Sequence, residues 1–450
     1  MKVQTRWFVV QRTMNPGQEH AFNTVLEGKS IFLTGPGGTG KSYLINRLME
    51  QYQTPRFGQP SRVVAVTALT GCAALLLHSS AKTLHSWAGI GLGKEPVDVL
   101  VKAIKSFRHA VKRWKTTDIL IIDEISMMTA ELFEKLEEIA RKVRKVDRPF
   151  GGLQLVLVGD FFQLPPVTSV QGAPFIFESP TWHSLGLTIC KLTTIVRQAD
   201  PIFQEILNDA RQGIVTASSL SILKSRMKAA SSKSRVKPTM LFTRKADVES
   251  INARHLGKLE GERHTFTVST VSSGPHIPLA ELQKAVTATD ANATYAGSLV
   301  LVKEAQVMLL VNTYSSLGLV NGSRGVVTGF ERSDDGLILP VVEFRNGARI
   351  RIEYATWTVP IHEDMYLTKT KPSVMRKQIP LRLAYAITIH KAHGATLDCA
   401  LIDVGDTTFE YGQAYVALSR LKDLEGLFIH DIDVRAFRAH PKVVQFYASA

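Results

Sequence analysis

The chain has only three cysteines, Cys72, Cys190 and Cys399, and they lie far apart. No CxxC pair or Cys/His cluster exists, so neither a zinc cage nor a disulfide framework is expected, and a reducing compartment fits. No apolar run approaches the roughly 18 residues that a membrane-spanning helix needs, so no membrane is expected as a partner. There is no repeat at a fixed period and no low-complexity tract. Residues 1–18 contain no Asp or Glu. They also lack the Ser enrichment of a transit peptide, and Trp7-Phe8-Val9-Val10 reads as a strand.

What is present is the composition of a folded protein, 45% hydrophobic and 21% charged. That balance buries real cores and excludes a disordered chain. At 450 residues the chain exceeds one ordinary core, so two to four domains are expected. Lys plus Arg number 54 against 40 Asp plus Glu, a formal charge of +14. The surplus favours a polyanionic partner but identifies no site.

The first part alternates strand and helix. Residues 30–34, 63–66, 119–122 and 155–158 are nearly all apolar, as in strands buried on both faces of a parallel sheet. Residues 130–143 place Leu132, Phe133, Leu136, Ile139, Ala140 and Val143 on one helical face. From about 256 to 378 the pattern changes to short β segments at 306–310, 325–330, 341–344 and 349–352. Turn signals Asn321-Gly322, Asp335-Gly336 and Asn346-Gly347 fall among them. Buried-strand patterns return at 384–387 and 400–404. The expected class is α/β, doubly wound, with a second α/β domain interrupted by a β-barrel-like module. The expected boundaries are 1–190 for the first domain, with a small insertion near 84–117. The second is 191–255 plus 379–450, and the β-rich insertion is 256–378.

Gly35-Pro36-Gly37-Gly38-Thr39-Gly40-Lys41-Ser42 satisfies G-x-x-x-x-G-K-[ST] between an apolar strand and a helix carrying Leu44, Ile45 and Leu48. The glycines let backbone N–H groups face phosphate oxygens, and the helix N-terminus adds favourable partial charge. Lys41 can reach the β- and γ-phosphates, and the Ser42 hydroxyl can ligate Mg²⁺. The expected cofactors are ATP and Mg²⁺. A second buried strand ends in Asp123-Glu124. Asp123 is placed to hold Mg²⁺ through water, and Glu124 to orient or deprotonate an attacking water. A third strand ends in Gly159-Asp160-Phe161-Phe162-Gln163-Leu164-Pro165-Pro166-Val167. Gln163 there reads either as a sensor of nucleotide state or as part of a proline-stiffened connector.

With these motifs on view, the chain resembles the PIF-type DNA helicases, a branch of superfamily one, subtype B. The likeness runs from about Met14 to Tyr447. It rests on Thr83-Leu84-His85-Ser86-Trp87-Ala88-Gly89-Ile90-Gly91, on 132–144 followed by Pro149-Phe150-Gly151-Gly152, and on Leu192-Thr193-Thr194-Ile195-Val196-Arg197-Gln198. Leu319-Val320-Asn321-Gly322-Ser323-Arg324-Gly325, Thr388-Ile389-His390-Lys391 and Gly412-Gln413-Ala414-Tyr415-Val416-Ala417-Leu418-Ser419-Arg420 complete it. The resemblance implies two RecA-like parallel-sheet domains with ATP between them and an SH3-like β module in the second. It assigns Arg197 and Arg420 to the second domain as arginines that reach the γ-phosphate, making hydrolysis depend on closure of the cleft. Gln18 looks like the family's adenine-reading glutamine. It also sits at a helix start, after Asn15-Pro16.

The resemblance further implies a 5′-to-3′ helicase acting inside cells on single-stranded and forked or tailed duplex DNA. RNA–DNA hybrids and G-quadruplexes extend the list, and the setting is replication, repair or recombination by a monomer. Polarity comes wholly from the resemblance. The alternatives are a DNA-binding ATPase switch that does not unwind and an inactive binding module. Candidate strand contacts are Thr67, Thr70 and His85 in the first domain and Thr388, His390 and Lys391 in the second. Trp87 offers a flat face for a base, although a Trp in an apolar stretch is more often core. Asn321 and Arg324 could meet DNA, while Asn321-Gly322 is also a plain hairpin turn. Lys102, Lys105, Arg108, Lys112, Arg113 and Lys115 form a basic stretch that reads as a solvated helix face or an electrostatic footprint. One departure stands out: His393 in His390-Lys391-Ala392-His393-Gly394 replaces the family's usual glutamine. Imidazole offers fewer simultaneous hydrogen bonds than an amide. Replacing it, His393→Ala, is expected to alter DNA-stimulated ATP hydrolysis and unwinding, and unchanged rates would exclude a role for it in either.

Overall fold

The computed structural model describes residues 13–53, 62–78, 80–166, 172–227, 235–274, 276–291, 293–359, 373–392, 394–406 and 408–449. The strand expected at Trp7–Val10, Val167 and His393 lie outside the described residues.

Six strands build the first sheet: β1 (Ile31–Thr34), β2 (Val64–Ala68), β3 (Lys82–Thr83), β4 (Ile119–Asp123), β5 (Gln154–Gly159) and β6 (Thr188–Lys191). Their order is β3-β2-β4-β5-β1-β6, all parallel. The apolar runs of β1, β4 and β5 are buried along their whole length. Alternation sends their side chains into two separate cores. Phe32, Leu120, Ile122, Leu155 and Leu157 meet Phe133, Leu136, Ile139 and Ala140 of the helix Ala130–Arg144. Ile31, Leu33, Ile121, Val156 and Val158 meet Ala21 and Val25 of Pro16–Leu26, and Leu44, Ile45 and Leu48 of Lys41–Gln53. Local signals agree with these packings. Thr129 caps the helix Ala130–Arg144 by accepting from Leu132 N, and Arg141, Lys142 and Arg144 crowd its negative end.

A second parallel sheet runs in the order Ala386–Thr388, Thr239–Phe242, Ala400–Val404, Leu427–Ile432. The helices Pro201–Arg211 and Gln413–Leu418 share its core through Phe203, Ile206, Leu207, Tyr415 and Val416. Antiparallel strands fill the chain between its first two strands in sequence. Arg349–Arg351, Ile338–Phe344, Arg324–Arg332, Gln306–Leu309 and Leu381–Leu383 form five neighbours in that order. Asp335-Gly336 and Asn346-Gly347 fall between paired strands, as the sequence predicts. A three-stranded sheet, a two-stranded sheet and the helix Leu279–Ala291 complete the region. That helix was not anticipated.

Two buried polar side chains join this β region to the second parallel sheet. Gln306 donates to Ala384 O at 2.8 Å and Lys237 O at 3.0 Å, and accepts from Lys237 N at 2.8 Å. Arg324 has no exposed side-chain surface. It donates to Asp398 Oδ1 at 2.9 Å and Lys237 O at 2.9 Å. The expectation that Arg324 meets DNA is therefore corrected: its guanidinium is spent inside the junction.

The last helix, Pro441–Ser449, departs from the expected second domain. Val443 belongs to a core of the first sheet, and Phe446 stacks on Phe177 with ring centroids 4.5 Å apart. The chain thus crosses to the second sheet after β6 and returns to the first at its end. Removing Asp398 would strand a buried guanidinium. Asp398→Ala should lower stability by about 2–3 kcal/mol, read from the urea midpoint, because hydrogen bonds to charged groups and buried ion pairs carry costs of that order.

Candidate nucleotide and strand-binding sites

Parallel strands deliver functional loops at their carboxyl ends. Thr34 of β1 pairs with Gly159 of β5, so the phosphate loop begins beside Asp160. The end of β4 adds Asp123 and Glu124 in the same sheet.

The loop is wrapped tightly. Gly35 has φ +151, and a Cβ there would lie 2.3 Å from Leu192 O. Gly38 has φ +84, and a Cβ there would lie 2.6 Å from Arg197 Cβ. Val196 N donates to Gly38 O at 2.8 Å. Lys41 Nζ donates to Gly35 O at 2.7 Å and Pro36 O at 3.0 Å. Burial lowers the Lys41 pKa, while Asp160, Glu124 and Asp123 oppose that. Ser42 is exposed in the first turn of the following helix. Gln18 holds the helix-start role and is also tied to the phosphate loop. Its Oε1 accepts from Asn15 N at 3.1 Å in a capping box, and its Nε2 donates to Thr39 O at 3.1 Å. Thr39 in turn donates to Pro36 O at 2.9 Å.

The carboxylates are under strain of two kinds. Burial, and then Glu124 beside it, push Asp123 up to about 7. Glu124 N donates to Asp123 Oδ1 at 2.9 Å. Glu124 itself has φ 57 and ψ 39, a left-handed conformation that a residue with a side chain adopts only when its surroundings impose it. That backbone aims the Glu124 carboxylate differently from a simple strand continuation.

From the other side come groups that converge on the same loop. Arg197 Nη1 donates to Ser419 O at 3.2 Å. Arg420 Nη2 donates to Ser419 Oγ at 2.7 Å, and its Nε to Val416 O at 2.8 Å. Burial, and then Arg197, push Arg420 down to about 9. Both guanidiniums are thus held by carbonyl and hydroxyl oxygens, with Glu124 as an attractive charge in the field of each. Arg197 was expected on the second domain. It instead lies on the connector after β6, against Gly38, and bonds across to the second unit. Gln163 is buried, its N donating to Asp160 O at 2.9 Å. A Cβ on Gly412 would lie 2.7 Å from Gln163 O, so this loop abuts the start of the helix Gln413–Leu418.

Several participants carried no separate signal in the sequence. Gly37 N donates to the Tyr415 hydroxyl at 2.8 Å. Gln198 Nε2 donates to Leu421 O at 2.8 Å. Asp160 takes a two-pronged ion pair from Arg211, Nε to Oδ2 at 2.9 Å and Nη2 to Oδ1 at 2.8 Å. Burial alone would raise the Asp160 pKa, but Arg211 holds it below the usual carboxylate range. Tyr415 and Gln198 lay within quoted motifs and could have been singled out. Arg211 and Tyr447 are brought in by tertiary packing only.

The strand-contact candidates divide. Thr70 caps the helix Gly71–Leu77, accepting from Ala73 N at 3.2 Å, and Thr388 does the same for Lys391 N at 3.3 Å. Each stands at a strand's carboxyl end, one in each sheet. His85 and His390 are half-buried, and burial lowers both pKa values, with Glu410 opposing it at His390. Burial thus favours the neutral imidazole in each. Lys391 is exposed. Thr67 and Trp87 require correction. Thr67 is wholly buried and donates to Ile121 O at 2.8 Å. Trp87 is buried against Trp114, ring centroids 4.6 Å apart, and presents no face to a base. Asn321 donates to Leu310 O at 3.1 Å, a role that fits the turn reading. Lys102, Lys105, Arg108, Lys112 and Lys115 are exposed, whereas Arg113 donates to Trp87 O at 2.9 Å.

Comparison with known proteins agrees with this geometry. The sequence pattern of the PIF1-like helicase family matches residues 13–219, and that of the DNA helicase Pif1 2B domain matches 288–330, inside the β-rich region. The ATP-dependent DNA helicase PIF1 of Xenopus laevis is 40% identical over 439 residues, covering 97% of this chain and 64% of that protein. The chain therefore spans under two thirds of that relative's length. The crystal structure of Pif1 helicase from Candida albicans is 34% identical with a TM-score of 0.78, over 97% of this chain and 99% of that one. The Pif1 helicase from Bacteroides in complex with ADP-AlF3 and single-stranded DNA is 30% identical with a TM-score of 0.65, over 97% of each chain. With sequence pattern, fold and near-complete coverage of this chain in agreement, the chain belongs to the PIF1-like helicase family.

Proposed function

We propose that the chain is an ATP-dependent 5′-to-3′ DNA helicase that translocates on single-stranded DNA and unwinds duplexes. The observation that carries this reading is the meeting of Arg197 and Arg420 over Ser419, against a phosphate loop from the other sheet. Guanidiniums at that seam stabilise charge on a transferring phosphoryl only when the two units are together. Hydrolysis then responds to their relative position, which is the requirement for a motor.

Glu124 deprotonates or orients the attacking water, and Lys41 leaves its carbonyl partners for phosphate oxygens. Ser42 and Asp123 are hard oxygen donors suited to Mg²⁺. Among the described residues no cluster of three or more His, Cys, Asp or Glu is assembled as a cage, as suits a cation shared with phosphates. When bound, Mg²⁺ would neutralise phosphate charge and relieve the raised pKa of Asp123. Gln18, bonded to the loop at Thr39, is the proposed reader of the adenine edge. Thr70 and Thr388, one per sheet, are the proposed grips, with His85, His390 and Lys391 as further proposed contacts. The Bacteroides relative, in complex with a nucleotide analogue and single-stranded DNA, supports the same pairing of ligands here. Forked and tailed duplexes are the proposed substrates, with RNA–DNA hybrids and G-quadruplexes as extensions. The proposed acting species is a monomer inside the cell, at DNA.

A duplex with a 5′ single-stranded tail, ATP and Mg²⁺ should be unwound, and one with only a 3′ tail should not. Failure of both, with ATP hydrolysis still stimulated by single strands, would replace the helicase with a DNA-dependent switch. Glu124→Gln should cut ATP turnover by roughly 10²-fold or more, the range for a lost general base. Its ATP affinity, followed by fluorescent-nucleotide titration, should stay near that of the unaltered chain.

A further inference from the structure

The helix Pro441–Ser449 contains none of the phosphate-handling motifs, yet its Tyr447 hydroxyl joins three parts that turnover must align. Thr34, the residue before the phosphate loop, places its hydroxyl 2.6 Å away. Phe161 N donates to the tyrosine oxygen at 3.2 Å. The tyrosine reaches Asp160 Oδ1 at 3.4 Å. Asp160 holds Arg211, the last residue of the helix Pro201–Arg211 that packs in the second sheet's core. The aromatic surroundings enforce this arrangement. Phe162 and Tyr447 stack at 4.9 Å with planes 13° apart, and the Arg211 guanidinium lies 4.5 Å from the Phe162 centroid and 5.2 Å from that of Tyr447.

Proton accounting gives the chain a direction. Ionised Asp160 can only accept, so the one proton of Tyr447 goes to it, and the Thr34 hydroxyl donates to Tyr447. Burial, with Asp160 beside it, pushes the tyrosine pKa well above its ordinary value, so that proton stays in place. The sequence Thr34, Tyr447, Asp160, Arg211 then links the base of the phosphate loop to a helix of the opposite sheet.

The geometry points to Tyr447 as a positioning residue that couples the phosphate loop to the second sheet through the Asp160–Arg211 pair. This rests on the ATP-driven reading above. Tyr447 bonds to Thr34, Phe161 and Asp160 and does no chemistry itself. Its hydroxyl keeps β1 and Asp160 in register with Arg211, and so keeps Arg197 and Arg420 aligned over the loop. A plain anchoring role would reside in the ring, which stacks on Phe162. A coupling role resides in the oxygen.

Tyr447→Phe separates the two because it keeps the ring and removes the oxygen. With saturating single-stranded DNA, kcat for ATP should fall roughly fivefold to tenfold, the scale of one lost hydrogen bond. KM for ATP should stay within about twofold, since the loss is in alignment and not in uniform binding. Arg211→Lys should give a similar deficit, and the double variant should be no worse than the poorer single one, as expected within one network. An unchanged kcat for Tyr447→Phe, or deficits that multiply in the double variant, would overturn the proposal. Hydrogen exchange supplies a readout independent of turnover. ADP with aluminium fluoride should protect amides of 201–211 in the unaltered chain and protect them less in Tyr447→Phe; equal protection in the two also overturns it. Absence of hydrolysis by the unaltered chain would instead remove the motor reading, leaving the exchange comparison to judge Tyr447.

Discussion

The carbonyl of Leu192 occupies the space that a side chain on Gly35 would need, and Arg197 presses as closely on Gly38. The connector leaving the first sheet is therefore fitted against the bare backbone of the phosphate loop. This contact fixes where the connector runs, and with it the place at which Arg197 and Gln198 can meet Ser419 and Leu421. Any larger residue at Gly35 or Gly38 would move the connector before it moved a nucleotide. The glycines thus serve the protein's own chain as much as they serve phosphate.

Around that contact, charges of opposite sign are each held in a form that burial disfavours. Asp123 is driven up to about 7 and Arg420 down to about 9, while Lys41 is lowered too. Each shift runs toward the neutral state, so each group gains when an opposite charge arrives. In the proposed function, phosphates would satisfy the cations and a divalent metal would satisfy the carboxylate. Asp160 and Arg211 behave differently, because they already satisfy one another through two hydrogen bonds. One set is complementary to a ligand, and the other is complementary to itself. The second kind needs no ligand to tie the two units together.

Much of the first sheet was legible because its strands are buried on both faces and so read as continuous apolar runs at 30–34, 119–122 and 155–158. The phosphate loop and Asp123-Glu124 were equally legible, since their chemistry is local to a few adjacent residues. Arg211 and Tyr447 were not. They reach Asp160 from 51 and 287 positions away, and nothing near them in sequence marks the meeting. The misreadings have a common cause as well. Trp87, Thr67 and Arg324 have side chains that can bind nucleic acid or complete a core, and only their burial decides. The helix Leu279–Ala291 escaped notice because it buries little and sits among β segments.

The return of the final helix to the first sheet alters how the second sheet can move. A unit joined by one linker can swivel about three axes. Here the chain leaves the first sheet after β6 and is fastened to it again through Val443 and Phe446. Two separated attachments define a line, and rotation about that line disturbs neither. The connector and the final helix are thus two separate ties between the sheets, added to the side-chain bonds of the seam.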